Sequence, residues 1–162
     1  MRERHKGTIV NVTSIAGRTA IPPMASYAAS KWAFEALSEV LAQEMRAFNV
    51  RVAIVEPGVI ATPIFTKGAP PPHSHYPHGR RLGAMFAAAL ANPTPPSVVG
   101  DLIRGIVDGD SWQPRYPAGP DAEPILKRMA SKTDEQVIQE GAESDEGFLA
   151  RIKREIGIDL KL

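Results

Sequence analysis

The chain has 162 residues, enough for one domain with a modest core. A formal net charge of +1 gives nucleic acid or an anionic membrane no electrostatic hold, and the lack of cysteine excludes disulfides, thiolate metal sites and a cysteine nucleophile. No apolar run approaches the roughly 20 residues that cross a bilayer, and the basic start leads into no signal-peptide core, so a cytoplasmic protein is expected.

Gly7 to Ser14, GTIVNVTS, is a β-branched run bounded by glycine and serine, which reads as a buried strand. A long helix follows. From Ala25 to Phe48 a series of alanines with Trp32, Leu37, Val40, Leu41 and Met45 recurs at three- and four-residue steps, with Pro22 and Pro23 ahead of it and Asn49 behind. Trp32 is expected to pack, either in the core or against another subunit. Arg51 to Gly58, RVAIVEPG, is a second strand ended by Pro-Gly. Strand, helix and strand with short joins make a βαβ unit and a parallel sheet.

Eight of the fifteen prolines fall between Thr62 and Pro96, around a short apolar run at residues 82–91. This predicts a surface excursion with a short helix inside it. A helix is predicted between Pro95 and Gly109, then a proline-bounded edge strand over Trp112 to Gly119. After Asp121 the pattern is helical. Thr133 to Gln136, TDEQ, is a capping-box signature, and Phe148, Leu149, Ile152 and Ile156 mark a short amphipathic segment.

Chemistry is concentrated in Ser14, Tyr27 and Lys31. Residues four apart on a helix are surface neighbours, so Tyr27 and Lys31 share a face. An ammonium beside a phenol stabilises the phenolate, and such a phenol can give a proton to a carbonyl oxygen or take one from an alcohol. Ser14 ends the first strand, and ligands bind at the carboxyl ends of strands in open parallel sheets. These three groups suit alcohol/carbonyl interconversion with a cofactor as hydride donor.

Four blocks, GTIVNVTSIAG, YAASKWAFEALSEVLAQEM, VRVAIVEPGVIAT and RYPAG, resemble in order and spacing the second half of the short-chain dehydrogenase/reductase superfamily, over about Gly7 to Ala122. The resemblance implies an α/β, Rossmann-like three-layer fold, cut down to a parallel sheet of about three strands in sequence order. It also implies roles. Ser14 would orient the substrate oxygen and Tyr27 would be the acid/base. Lys31 would tune the tyrosine and bond the nicotinamide ribose of NAD or NADP. Pro57 and Gly58 would shape a turn along the nicotinamide, backbone groups near Ile60 would meet its carboxamide, and Thr62 would add a hydroxyl. The excursion over residues 63–96 would be a substrate lid and residues 121–162 a helical tail, all within one domain. Homo-oligomers are implied as well.

The family's glycine-rich pyrophosphate turn, its catalytic asparagine and its Asn-Asn-Ala-Gly segment do not occur here. Four βα units of about 30 residues, roughly 120 in all, are expected to precede Gly7 in a full enzyme, with Met1 an internal methionine of the helix before it. The first strand would then keep an open edge. A non-catalytic remnant acting as an oligomerising module is therefore the alternative to an oxidoreductase acting on a small alcohol or carbonyl. An epimerase or dehydratase fits less well, because the long substrate domain of that branch is missing.

Other features have plain readings. His73, His75 and His78 lie among prolines with no carboxylate or cysteine between them, so a solvated loop is expected rather than a metal site. Arg80 and Arg81 are expected to be a solvated pair, and Glu56 an exposed charge at a strand end.

Overall fold

The computed structural model describes residues 1–67 and 75–162. Among them are three strands, β1 (Gly7–Val12), β2 (Val50–Pro57) and β3 (Arg115–Ala118), joined in one parallel sheet in the order β1-β2-β3. β1 runs beside β2 from Gly7↔Val50 to Val12↔Val55, and β3 pairs with the carboxyl end of β2 from Ile54↔Arg115 to Pro57↔Ala118. Every apolar residue of β2 except the terminal Pro57 is buried, as a central parallel strand requires.

α1 (Ala25–Arg46) connects β1 to β2 and packs on one face of the sheet; α3 (Ser97–Asp108) packs on the other. The layers are thus helix, sheet and helix, a truncated Rossmann-like α/β fold. On the α3 side Ala53, Val55, Ala118 and Ile106 form an apolar core with Val10, Leu102 and Tyr116 against them. A second cluster joins Ile15 to Ala122 and Leu126 of α4 (Ala122–Ala130).

The α1 side differs from the sequence pattern. Trp32, Leu37 and Val40 are exposed, whereas Ala28, Glu35 and Ser38 form the buried line of the helix. Trp32 is therefore not a core residue. The reason lies in β1, whose end carries hydrogen-bonding groups toward α1: Asn11 Nδ2 donates to Ser38 Oγ at 2.8 Å, and the Thr13 hydroxyl bonds Glu35. A polar strand end selects a polar helix line, since burying either without the other would leave unpaired groups.

α2 (His78–Ala91) begins ahead of the apolar run that predicted it. Its first turn is anchored by later elements. His78 Nε2 lies 3.2 Å from the Gly141 carbonyl of α5 (Asp134–Gly141). Arg81 donates from Nε to Asp145 Oδ1 at 2.9 Å, at the start of α6 (Asp145–Ile156), and from a terminal nitrogen to the Glu143 carbonyl at 2.7 Å. Arg81 is only 5% exposed, so the expected solvated pair is half wrong: Arg80, which also pairs with Asp145, stays in solvent, while Arg81 is buried over the Phe148 ring. Thr133 and Gln136 form the reciprocal capping box that their spacing predicts. No helix among the described residues is long and apolar enough to cross a membrane.

Candidate active site

Ser14 follows β1 directly. Its extended backbone lets Oγ cap a 3-10 turn over Ile15–Gly17 by accepting from the Ala16 amide at 3.1 Å. The turn sits hard against α1. A Cβ on Gly17 would lie 2.7 Å from Glu35 Cγ and 3.1 Å from the Lys31 carbonyl, so only glycine allows the approach. The Ser14 hydroxyl meets the Pro57 carbonyl at 3.5 Å, too long for a strong bond. Its proton thus remains available to a stronger acceptor.

Tyr27 and Lys31 lie one turn apart near the start of α1, and Tyr27 is 44% exposed. Lys31 Nζ is 5.7 Å from the centre of the Tyr27 ring, within reach of a cation–π attraction. The helix spacing therefore brings these two side chains together. Ser14 is placed by the 3-10 turn that packs on the Lys31 carbonyl.

Pro57 ends β2, and the chain turns through Gly58, Val59, Ile60 and Ala61 to Thr62. The turn is pinned at three points. Gly58 N–H donates to the Ala118 carbonyl at 2.9 Å, Val59 N–H to Asp121 Oδ2 at 2.8 Å, and Ala61 N–H to the Thr94 carbonyl at 2.9 Å. Among the described residues the Ile60 amide has no such partner, and its side chain is buried. Among the described residues the Ile60 amide is thus uncommitted between two fixed neighbours, Val59 and Ala61.

Behind Ser14 and Lys31 lies a charge cluster that sequence reading missed. Glu56, expected to be exposed, is fully buried, because it points to the α1 side of the sheet between Arg18 and Arg115. Its carboxylate oxygens accept no hydrogen bond from the described residues; the arginine nitrogens stand off at 3.8 and 3.7 Å. Burial, and next the charge of Glu35, push the Glu56 carboxyl above its ordinary pKa, against the pull of Arg18 and Arg115. Arg115 is itself bonded to Glu35 at 3.1 Å and Glu39 at 2.7 Å, which ties β3 to α1. Burial works against its charge, but these carboxylates outweigh it and raise its pKa. Asp121 was also missed; no local motif distinguishes it from a turn aspartate. Of the histidines, His78 is held by Gly141, and His73 lies outside the described residues. Among the described residues no group of three potential metal ligands gathers.

Comparison with known proteins bears on this arrangement. The sequence profile of the family described as short chain dehydrogenase matches residues 1–71, which include Ser14, Tyr27, Lys31 and the turn from Pro57 to Thr62. An uncharacterised oxidoreductase of Schizosaccharomyces pombe is 32% identical over 161 residues, covering 97% of this chain and 63% of that protein. A short-chain dehydrogenase from Streptomyces avermitilis superposes with a TM-score of 0.67 at 31% identity, over 86% of this chain and 51% of its own. Another, from Burkholderia cenocepacia in complex with NADP, gives 0.56 at 27% identity, over 81% and 45%. The chain therefore spans between 45% and 63% of the length of these relatives. With four sequence blocks, a parallel βαβ core and these similarities in agreement, the chain belongs to the short-chain dehydrogenase/reductase superfamily.

Proposed function

We propose that this chain is the catalytic half of an NAD(P)-dependent oxidoreductase that interconverts a small alcohol and its ketone or aldehyde. The observation that carries this is the pairing of Tyr27 and Lys31 on an accessible helix face, beside a strand end that holds Ser14. In the reducing direction the Tyr27 hydroxyl gives its proton to the carbonyl oxygen; in the oxidising direction it takes the alcohol proton. Lys31, whose ammonium lies beside the Tyr27 ring, reaches the nicotinamide ribose. The Ser14 hydroxyl, weakly held by the Pro57 carbonyl, turns to the same substrate oxygen. The bound nicotinamide supplies or accepts the hydride.

The residues present fit one end of such a cofactor. The free Ile60 amide, between the fixed Val59 and Ala61 amides, suits the carboxamide, with Thr62 beside it. Nothing in the sequence supplies a glycine-rich cradle for the pyrophosphate. The chain alone is therefore expected to bind NADH or NADPH very weakly and to turn over little. The NADP of the Burkholderia relative supports a nicotinamide dinucleotide without choosing between the two forms. Residues 63–96 would then be the substrate lid, and the cytoplasm the site of action.

A chimaera tests the proposal, with the amino-terminal half of the Streptomyces avermitilis relative placed ahead of Gly7. It should transfer hydride between NADH or NADPH and simple ketones. Tyr27→Phe should lower kcat by about 100-fold or more, the range for loss of a general acid/base. A folded chimaera whose rate is unaffected by Tyr27→Phe overturns the assignment.

A second reading, a non-catalytic oligomerising module, has its own support. Among the described residues β1 pairs with β2 alone, and Trp32, Leu37 and Val40 lie exposed on α1. Inactivity of the chimaera together with stable self-association of the chain would favour it.

A further inference from the structure

Asp121 opens α4, yet its side chain does not cap that helix. The carboxylate reaches back to the turn after β2 instead, where Oδ2 accepts from the Val59 amide at 2.8 Å. The approach is tight. A Cβ on Gly58 would lie 2.5 Å from the Asp121 carboxyl carbon, so the turn and the aspartate fit only while residue 58 is glycine. The other oxygen, Oδ1, is buried without a hydrogen-bond partner among the described residues, so the bond to Val59 is the work of this side chain. The two other anchors of the turn, to Ala118 and Thr94, are backbone to backbone. Asp121 is thus the one anchor that a substitution can remove, and it holds the residue directly before the uncommitted Ile60 amide.

We propose that Asp121 is a positioning residue of the nicotinamide turn: by fixing the Val59 peptide it presents the Ile60 peptide group to the carboxamide of the cofactor. This rests on the cofactor assignment proposed above. Charge-assisted bonds to backbone amides are stronger than neutral ones, so the carboxylate is well suited to hold a turn that has no regular secondary structure of its own. The same aspartate places the amino terminus of α4, whose Ala122 and Leu126 pack on Ile15 beside Ser14. Both sides of the site are therefore tied to one residue.

The test uses the whole chain, labelled for amide NMR, with nicotinamide mononucleotide as the probe, because that ligand needs no pyrophosphate cradle. In the wild type the probe should shift the Ile60 amide and amides near Tyr27 and Lys31. Asp121→Ala should speed hydrogen exchange at Val59 by about tenfold or more, as expected for loss of a charge-assisted bond. It should also abolish the Ile60 shift while leaving those near Tyr27. Asp121→Asn keeps a carbonyl oxygen for Val59 and should restore both readouts. Should Asp121→Ala fail to fold, Gly58→Ala asks the same question, since the added methyl drives the carboxylate off Val59. Unchanged Val59 protection, or an Ile60 shift that survives in the folded variant, overturns the role of Asp121 and leaves the cofactor assignment standing. A wild type in which the probe shifts no amide overturns the cofactor assignment and the role with it, even if the exchange data show the clamp.

Discussion

At the scale of single residues, Glu56 shows how far a side chain's neighbours outweigh its place in the sequence. It lies buried with Arg18 and Arg115 at arm's length and Glu35 nearby, and its pKa is raised first by burial and then by Glu35. A carboxyl whose folded pKa is raised contributes stability that is complete below its unfolded value, 4.5, and is lost as pH rises through the folded value. Glu56→Gln removes that ionisation and keeps the volume. The variant should therefore melt a few degrees above the wild type at pH 8, and this advantage should vanish near pH 4. Thermal unfolding across that range checks it; a variant that melts below the wild type at pH 8, with the deficit vanishing near pH 4, would show that Glu56 serves as the counter-ion of its arginines. The proximity of Tyr27 and Lys31 was legible because a four-residue spacing on a helix brings two side chains to one face. Glu56, Glu35 and Arg115 were not, because their meeting depends on β3 lying beside β2.

At the scale of elements, the segments placed most faithfully are those whose signals are local. β2 is built around the apolar run Val52–Val55, α3 lies between Pro96 and Gly109, and α5 begins at its capping box. α2 was foreseen too short, because its first turn is held from outside by α5 and α6. Arg81 is the centre of that attachment. Arg81→Ala leaves Asp145 without its buried partner and removes the bond to the Glu143 carbonyl, at a cost of about 2 kcal/mol for charge-assisted bonds. Hydrogen exchange should quicken along α2 and the start of α6 while β2 is unaffected; equal acceleration throughout would mean that the pair supports the whole fold. A second tie joins α4, α5 and α6. Arg128 and Lys132 bridge Glu140 and Glu155, and although burial opposes ionisation of Glu155, those hydrogen bonds hold its carboxyl down at about 2. The stability it lends is present above pH 4.5 and is lost as pH falls toward 2, on the order of 1 kcal/mol after screening by solvent. Circular dichroism should show helix loss over that range.

At the scale of the whole molecule, the feature with most consequence is surface left uncovered. Parallel sheets are ordinarily covered on both faces and flanked at their edges, yet among the described residues β1 has a strand neighbour on one side only. Beside it α1 turns Trp32, Leu37 and Val40 outward, each more than half exposed. An unpaired edge and an apolar helix face favour burial against another polypeptide. Sedimentation at several concentrations should therefore show association, with replacement of Trp32 and Leu37 by polar residues shifting the equilibrium toward monomer. A concentration-independent monomer would refute it.

The sequence by itself determined the parallel βαβ core, the likeness to short-chain dehydrogenases and the meeting of Tyr27 with Lys31, because each is written in local patterns that a strand or helix converts directly into geometry. It also determined that no glycine-rich cradle accompanies them. Tertiary structure alone decided which face of α1 is buried, that Glu56 and Arg81 leave solvent, and that Asp121 grips the turn before Ile60. These depend on partners far along the chain: Glu35 with Arg115, Arg81 with Asp145, Val59 with Asp121. A polar side chain carries no mark of whether water or a distant residue will satisfy it; only the packing of the elements supplies that partner.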